Sequence, residues 1–303
     1  MLIVKRNGII TALITSLSKD GELCVDCLKQ LIEFQYKNGV QGLFLTGTYG
    51  EGVILPKSIR LKVFEKALEL SPKDMYLLPH IGSASIDTVI ELGKNVKDLG
   101  YKEVSIVAPP YHRPSKKGLA EFFNHVASKI ELDIIIYNNP GRVGYNITPD
   151  DFQYIVDNVK SVKGIKDTSR DVDQLLEYAK RFKDKYFIAA AGDSFMFYAF
   201  AIGIPAHICG ISNLIPEAAS KLYSYVLKGD LTKALELQYQ VNRLRKVLTK
   251  LSNEVQEAIR ELLKFRGIDA GYPPVQMIQE FDSRSVEVAK RVLDEVLQVL
   301  SSD

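Results

Sequence analysis

The chain has 303 residues, 46% of them hydrophobic and 25% charged, with a formal net charge of +2. That balance predicts a soluble globular protein with a large core, as one domain or one domain plus an appendage. It excludes a broad nucleic-acid footprint, and no run reaches the roughly 18 apolar residues of a membrane span.

The opening segment MLIVKRNGIITALITSL sets Lys5 and Arg6 before an apolar run, as a signal peptide does. It lacks an A-x-A cleavage pattern and leads into the turn Ser-Lys-Asp-Gly, so a first core strand is expected over Ile9–Ile14. Cys24 and Cys27 then form a lone C-x-x-C. Zinc would need a second pair or histidines at ligand spacing, so no metal site is expected. The surrounding LCVDCLKQLIEF reads as a helix packing its apolar side, with Leu28, Leu31, Ile32 and Gln35 on one face and Gly39 as its stop. With Cys209 as the third cysteine, the count fits a reducing, cytoplasmic setting.

Further β-rich runs follow at Gly42–Thr46, Tyr76–His80, Glu103–Ala108, Asp133–Tyr137, Val162–Lys166, Phe187–Ala191 and His207–Ile211. Helical patterns separate them. Pro56 opens one, with Leu61, Phe64 and Leu68 as its apolar stripe, and Ser115 caps another. Thr148-Pro149-Asp150 is an N-cap followed by proline at the first helical position, and Pro216 opens a further helix. Eight short apolar strands alternating with helices predict a parallel sheet closed into a (β/α)8 TIM barrel over residues 1–229. A doubly wound open sheet would usually contain fewer units. From Asp230 onward the strand signal stops. Leu231–Phe265 and Ser283–Leu300 read as helices around the loop Gly267–Pro274, making residues 230–303 a C-terminal helical appendage.

Chemistry in such barrels collects where strands end at their C-terminal side. Those ends carry Gly47-Thr48-Tyr49 after the second strand, Pro110-Tyr111 after the fourth, Tyr137 through Arg142 after the fifth and Lys166 on the sixth. A lysine in a dry cavity loses its proton at modest cost, and the neutral amine attacks a ketone to form a Schiff base. The protonated imine stabilises a carbanion or enamine on the adjacent carbon without a metal or other cofactor. A proton shuttle is also needed, and Tyr137, Thr48 and Tyr111 offer hydroxyls. The loop GTYGEG is neither a Walker loop nor a dinucleotide fingerprint, but its backbone N–H groups suit a carboxylate. Arg142 adds a planar cation for a second carboxylate or a phosphate. Each residue also has an ordinary alternative: a solvated lysine, a packing tyrosine, a plain turn, a rim arginine paired with an acid.

The segments GTYGEG, APPYHRPSKKGL, IIYNNPGRVGYNI, VKGIKDTS and AGDS, taken together, resemble the pyruvate-dependent class I lyases. That family includes dihydrodipicolinate synthase, N-acetylneuraminate lyase and 2-keto-3-deoxygluconate aldolase. The resemblance implies Lys166 as the Schiff-base lysine, Tyr137 as the proton shuttle and Thr48 as carboxylate ligand and relay. It implies Tyr111 as a tyrosine reaching into a neighbouring subunit's site, in a homotetramer built as a dimer of dimers. Arg142 matches the residue that receives the second substrate's carboxylate in the synthases. The expected substrate-binding set is Gly47, Tyr49, Arg142 and Ile208. The expected partners are pyruvate and a small aldehyde, with no nucleic acid and no membrane.

Several positions depart from the family pattern. Tyr49 stands where a second small hydroxyl residue is usual, Pro110-Tyr111 where two tyrosines are common, and Thr15-Ser16 where Thr-Pro is common. GIDAGYPP is closer to the sugar-acid aldolases, whereas Arg142 favours the synthases. The leading expectation is a dihydrodipicolinate synthase-like condensation of pyruvate with aspartate semialdehyde. A 2-keto-3-deoxy sugar-acid aldolase is the alternative, and a non-catalytic keto-acid-binding barrel is a minor third.

Overall fold

The computed structural model describes residues 6–302. Lys5 of the opening segment lies outside them, and the apolar run that follows forms a core strand as expected. Eight strands alternate with helices: β1 (Gly8–Ala12), β2 (Gly42–Leu45), β3 (Tyr76–Pro79), β4 (Glu103–Val107), β5 (Asp133–Asn138), β6 (Val162–Asp167), β7 (Phe187–Ala191) and β8 (Ala206–Cys209). Their order is β3-β2-β1-β8-β7-β6-β5-β4, and each ladder between neighbours is parallel. A parallel bridge between His80 and Ser105 closes the seam between β3 and β4, making a TIM barrel.

The strands read as continuous apolar runs because helices cover the outer face and side chains fill the interior. β1, β2 and β4 are buried along their whole length. Gly164 in β6 is dictated by close approach, since a Cβ there would stand 2.1 Å from the Phe187 carbonyl oxygen of β7. Two strands end earlier than their apolar runs. Buried Asn213 accepts the Ile14 N–H at 3.1 Å and donates to the Ala12 carbonyl at 2.8 Å, which takes the chain after β1 out of the ladder. The same residue donates to the Gly210 carbonyl at 2.9 Å, just past the end of β8.

The predicted caps form. Ser115 Oγ accepts from the Gly118 N–H at 3.1 Å, and Thr148 with Asp151 makes a reciprocal capping box. The C-x-x-C differs from its expected role. Cys24 caps the helix Val25–Lys37 and is disulfide-bonded to Cys27, while Cys209 is free and buried. One helical turn brings the two Cα atoms to 5.3 Å, within bridging range. Cys27 does pack into the core, but the pair is no longer two independent thiols, so the cysteine count is not a sign of a reducing setting.

The tail also departs from expectation. The stretch read as one helix over Leu231–Phe265 is two, Leu231–Leu251 and Val255–Leu263, followed by a short 3-10 turn. Ser252 Oγ accepts the Glu254 N–H at 3.2 Å and donates to the Glu254 carbonyl at 2.7 Å, a local bond that competes with helix continuation. A last helix runs over Ser283–Ser302. Among the described residues no helix is long and apolar enough to cross a membrane.

Candidate active site

Alternation along β6 sends Lys166 into the barrel mouth and Asp167 toward the helix layer. Asp167 is held there by Asn138 Nδ2 at 2.7 Å, Ser169 Oγ at 2.6 Å and Gln174 Nε2 at 3.1 Å. Lys166 is 3% exposed. Its Nζ lies 3.9 Å from the centroid of the Phe44 ring and 3.8 Å from that of Tyr137. Burial holds its pKa below the ordinary lysine value, against an opposing pull from Tyr137.

Tyr137 stands beside Lys166 across the β5–β6 ladder. Its hydroxyl is shared with Thr48 Oγ1 at 3.1 Å and accepts from Asn139 Nδ2 at 2.8 Å. Burial pushes the phenol up, but the Lys166 charge and hydrogen bonding from Thr48, Lys166 and Thr168 pull it down, leaving the phenol below its usual pKa. Two aromatic rings fix the Tyr137 ring edge-on. Phe44 lies 5.6 Å away at 84°, and His80 lies 5.7 Å away at 85°. Burial keeps His80 neutral, its pKa far below the usual value. Its Nε2 accepts from the Val107 N–H at 3.3 Å, so Nδ1 carries the proton that goes to the Thr46 carbonyl at 3.1 Å. A buried guanidinium from Arg60 donates to the His80 carbonyl at 2.5 Å and fixes the same turn from outside.

The GTYGEG loop is held from both ends. Thr46 and Glu51 adopt left-handed backbone, at φ 50° and 57°. Thr15 Oγ1 donates to the Gly50 carbonyl at 2.7 Å, and Arg260 of the tail pairs with buried Glu51 at 3.2 Å. Burial, with Glu257 adding to it, raises the Glu51 carboxyl to about 9. Among the described residues, no backbone carbonyl accepts from the N–H groups of Thr48 or Tyr49. Those two donors are available to a carboxylate. Tyr49 is braced: a Cβ on Gly210 would stand 2.1 Å from its ring, and its hydroxyl accepts from Arg245 at 3.1 Å. Arg245 in turn pairs with Asp193, whose other oxygen accepts from the N–H groups of Gly210 at 2.9 Å and Ile211 at 3.2 Å.

Lys166 opens on a polar cavity of about 250 Å³ lined also by Thr48, Tyr49, Tyr137, Arg142, Ile208 and Asp193. A more apolar cavity of about 290 Å³ adjoins it, sharing Thr48, Tyr137, Asn139 and Arg142, with Gly47 and His80 on its wall. The structure thus brings together Lys166, Tyr137, Thr48, Tyr49, Gly47, Arg142 and Ile208. Tyr111 is apart from them within the chain, 90% exposed with a left-handed φ of 75°. Arg142 reaches the rim, but its guanidinium is paired with Glu254 at 2.6 Å. Sequence reasoning missed Asn139, His80, Asp193, Arg245 and Glu254. Asn139 and Asp193 were visible inside the quoted motifs. Arg245 and Glu254 lie in the tail, where nothing local signals proximity to the barrel mouth.

A deeply buried amine beside a polarised phenol, with two free backbone donors nearby, is equipped to form an imine with a 2-keto acid and move its protons. The family comparison agrees. The model for the dihydrodipicolinate synthetase family matches residues 5–292. The chain belongs to that family. It is 28% identical over 287 residues to the 4-hydroxy-tetrahydrodipicolinate synthase of Hydrogenobaculum sp. (strain Y04AAS1), covering 94% of this chain and 98% of that protein. Over 288 residues it is also 28% identical to the N-acetylneuraminate lyase of Clostridium perfringens (strain ATCC 13124), covering 94% and 99%. The solved CdNal of Clostridium difficile, in complex with mannosamine, superposes with a TM-score of 0.89 at 26% identity, covering 96% and 99%. Membership makes the chain an enzyme, a pyruvate-dependent aldolase of the class I lyase type. A synthase and a lyase are each 28% identical to it, so the family comparison leaves the second substrate open.

Proposed function

We propose that the protein condenses pyruvate with a short anionic aldehyde, aspartate semialdehyde in a dihydrodipicolinate synthase-like reaction, through a Schiff base on Lys166. The observation that carries this proposal is the Lys166–Tyr137–Thr48 cluster, with Asn139 on the same hydroxyl. Neutral Lys166 attacks the pyruvate C2 carbonyl, and the carbinolamine loses water to give the protonated imine. Loss of a C3 proton gives the enamine, whose C3 bonds to the aldehyde carbon. Hydrolysis of the new imine then releases the 4-hydroxy-2-keto acid and restores the amine. Tyr137 moves the protons at the carbinolamine oxygen and at the new hydroxyl. The N–H groups of Thr48 and Tyr49 hold the pyruvate carboxylate, and Arg142 meets the acceptor at the rim.

A second reading has support from one specific contact. Glu254 already balances Arg142 and offers a carboxylate oxygen to sugar hydroxyls, which suits a 2-keto-3-deoxy sugar acid. The two are separated by comparing aspartate semialdehyde, glyceraldehyde 3-phosphate and glyceraldehyde on the wild type and on Arg142→Ala. The synthase-like reaction is expected to favour an anionic aldehyde and to lose roughly tenfold in kcat/KM for it in the variant, the low end for a bond to a charged group because the site is half-exposed. Preference for neutral glyceraldehyde, or no change in any of the three, selects the sugar-acid reading.

The exposed Tyr111 is accounted for if it completes the relay of a neighbouring copy, in a dimer or a dimer of dimers. Tyr111→Phe is expected to lower turnover while leaving borohydride-trapped pyruvate adduct at the wild-type level. A fully active monomer by light scattering under assay conditions contradicts this assignment.

A further inference from the structure

We infer that Arg170 is a second specificity-determining residue, joining Arg142 at the acceptor's anionic group from the other side of the same cavity. This rests on the Schiff-base reading of Lys166 and deepens it. The polar cavity is lined by four cationic side chains, Arg142, Lys166, Arg170 and Arg245, and by two carboxylates, Asp193 and Glu254. The carboxylates are spoken for: Asp193 pairs with Arg245, and Glu254 with Arg142. Lys166 is committed to the imine. Of the three arginines, Arg170 alone has neither a hydrogen-bond nor an ion-pair partner among the described residues, while Lys166 faces the Phe44 and Tyr137 rings.

Its placement is built by the chain. Arg170 follows β6 by three residues and takes a left-handed backbone at φ 60°, a conformation that L side chains rarely adopt. The stem then lies over Gly192 at the end of β7: a Cβ on Gly192 would stand 3.5 Å from Arg170 Cγ and 3.6 Å from its Nε. The guanidinium is thereby delivered to the same cavity as Lys166, from the β6 side, whereas Arg142 comes from beyond β5. The pyruvate carboxylate has its own donors at Thr48 and Tyr49. Arg170 is exposed at the cavity mouth, so water meets its charge in the free enzyme; with both cavity carboxylates already paired, it is the cation left to meet a second anion, carried by the aldehyde. A planar guanidinium with several N–H donors fits a carboxylate or a phosphate, the chemistry the two share being paired anionic oxygens.

The test uses the full-length enzyme with Arg170→Gln, which keeps most of the stem, and Arg170→Gly, which removes the side chain and suits the left-handed backbone. Borohydride trapping of pyruvate is measured first. Wild-type adduct yield in both variants is expected, and absence of adduct in the wild type overturns the Schiff-base reading itself. Next, kcat/KM is compared for aspartate semialdehyde, glyceraldehyde 3-phosphate and neutral glyceraldehyde. Both variants are expected to lose roughly 10- to 50-fold on the anionic aldehyde that the wild type prefers and under about threefold on glyceraldehyde, with the loss in KM. A larger loss with the phosphate than with the carboxylate, or the reverse, identifies which anion the residue serves.

If none of the three aldehydes turns over, the contrast is read as inhibition of pyruvate methyl deuterium exchange by inorganic phosphate and by succinate. Equal losses on charged and neutral acceptors, a loss in Arg170→Gln that Arg170→Gly restores, or anion inhibition unchanged in both variants would each overturn the assignment. The first two would make Arg170 a backbone or folding element, and the third a solvated rim charge.

Discussion

Replacing Lys166 by alanine is expected to abolish the borohydride-trapped pyruvate adduct and to reduce turnover by roughly 10⁴-fold or more, the scale on which loss of a covalent nucleophile acts. The fold should survive. Lys166 is buried among aromatic rings with no ion-pair partner, so the substitution removes a desolvation cost without breaking a salt bridge. The melting temperature is expected to stay level or rise. The same burial sets the pH dependence. Because the Lys166 pKa is lowered, its neutral fraction at any pH below that value exceeds an ordinary lysine's, and the imine-forming rate should climb to its plateau at lower pH. Mass spectrometry of the trapped protein locates the adduct, and a pH series of trapping rates gives the titration. Adduct on another lysine, or trapping that rises only in the range of a solvated lysine, would refute the assignment.

Tyr137→Phe is the second large effect, an expected loss of roughly 10²–10⁴ in kcat, the usual contribution of a positioned acid–base group. The ring should hold its place, because its edge-on contacts with Phe44 and His80 involve carbon atoms that phenylalanine keeps. What disappears is the oxygen that joins Thr48 and Asn139 and that, in the proposed reaction, meets the substrate. Imine formation and carbon–carbon bond formation should slow together, since both need a proton moved at the same place. Single-turnover trapping and steady-state assays, run in parallel, check this. A change under threefold in both would make the hydroxyl a packing group.

The barrel was readable because its strands are buried on both faces and so announce themselves as unbroken apolar runs between helix caps. Lys166 stood out by company: a lone strand-end lysine is ordinarily solvated or paired, and only its placement with Tyr137 and Thr48 on strand ends of one barrel marked it as a candidate. The unread parts share a physical cause. His80 ends β3 and looks, locally, like any histidine after a strand. Only the closing bridge to Ser105 carries it to the Tyr137 ring. Glu254 depended on a break in an apparently continuous helical stretch, made by the Ser252 side chain. Arg245 is 52 residues from Asp193 and 196 from Tyr49, separations that no local pattern encodes. The C-x-x-C pair was read by its packing, and one sulfur does pack, but helix geometry also set the two within bonding reach.

The interrupted tail helix has a consequence for how this scaffold can change its diet. The groups proposed to make and break bonds, Tyr137, Lys166 and Thr48, sit on β5, β6 and the loop after β2, locked into the hydrogen-bonded frame of the barrel. The charges that answer them, Arg245 and Glu254, come from a helix and a turn that contribute no strand to that frame. A substitution at Glu254 inverts or frees the charge at the rim without disturbing the ladder register around Lys166. One at Arg245 instead releases Tyr49 and Asp193 inside the mouth. New acceptors can thus be tried by editing a few tail positions, while the machinery that activates pyruvate stays as it is.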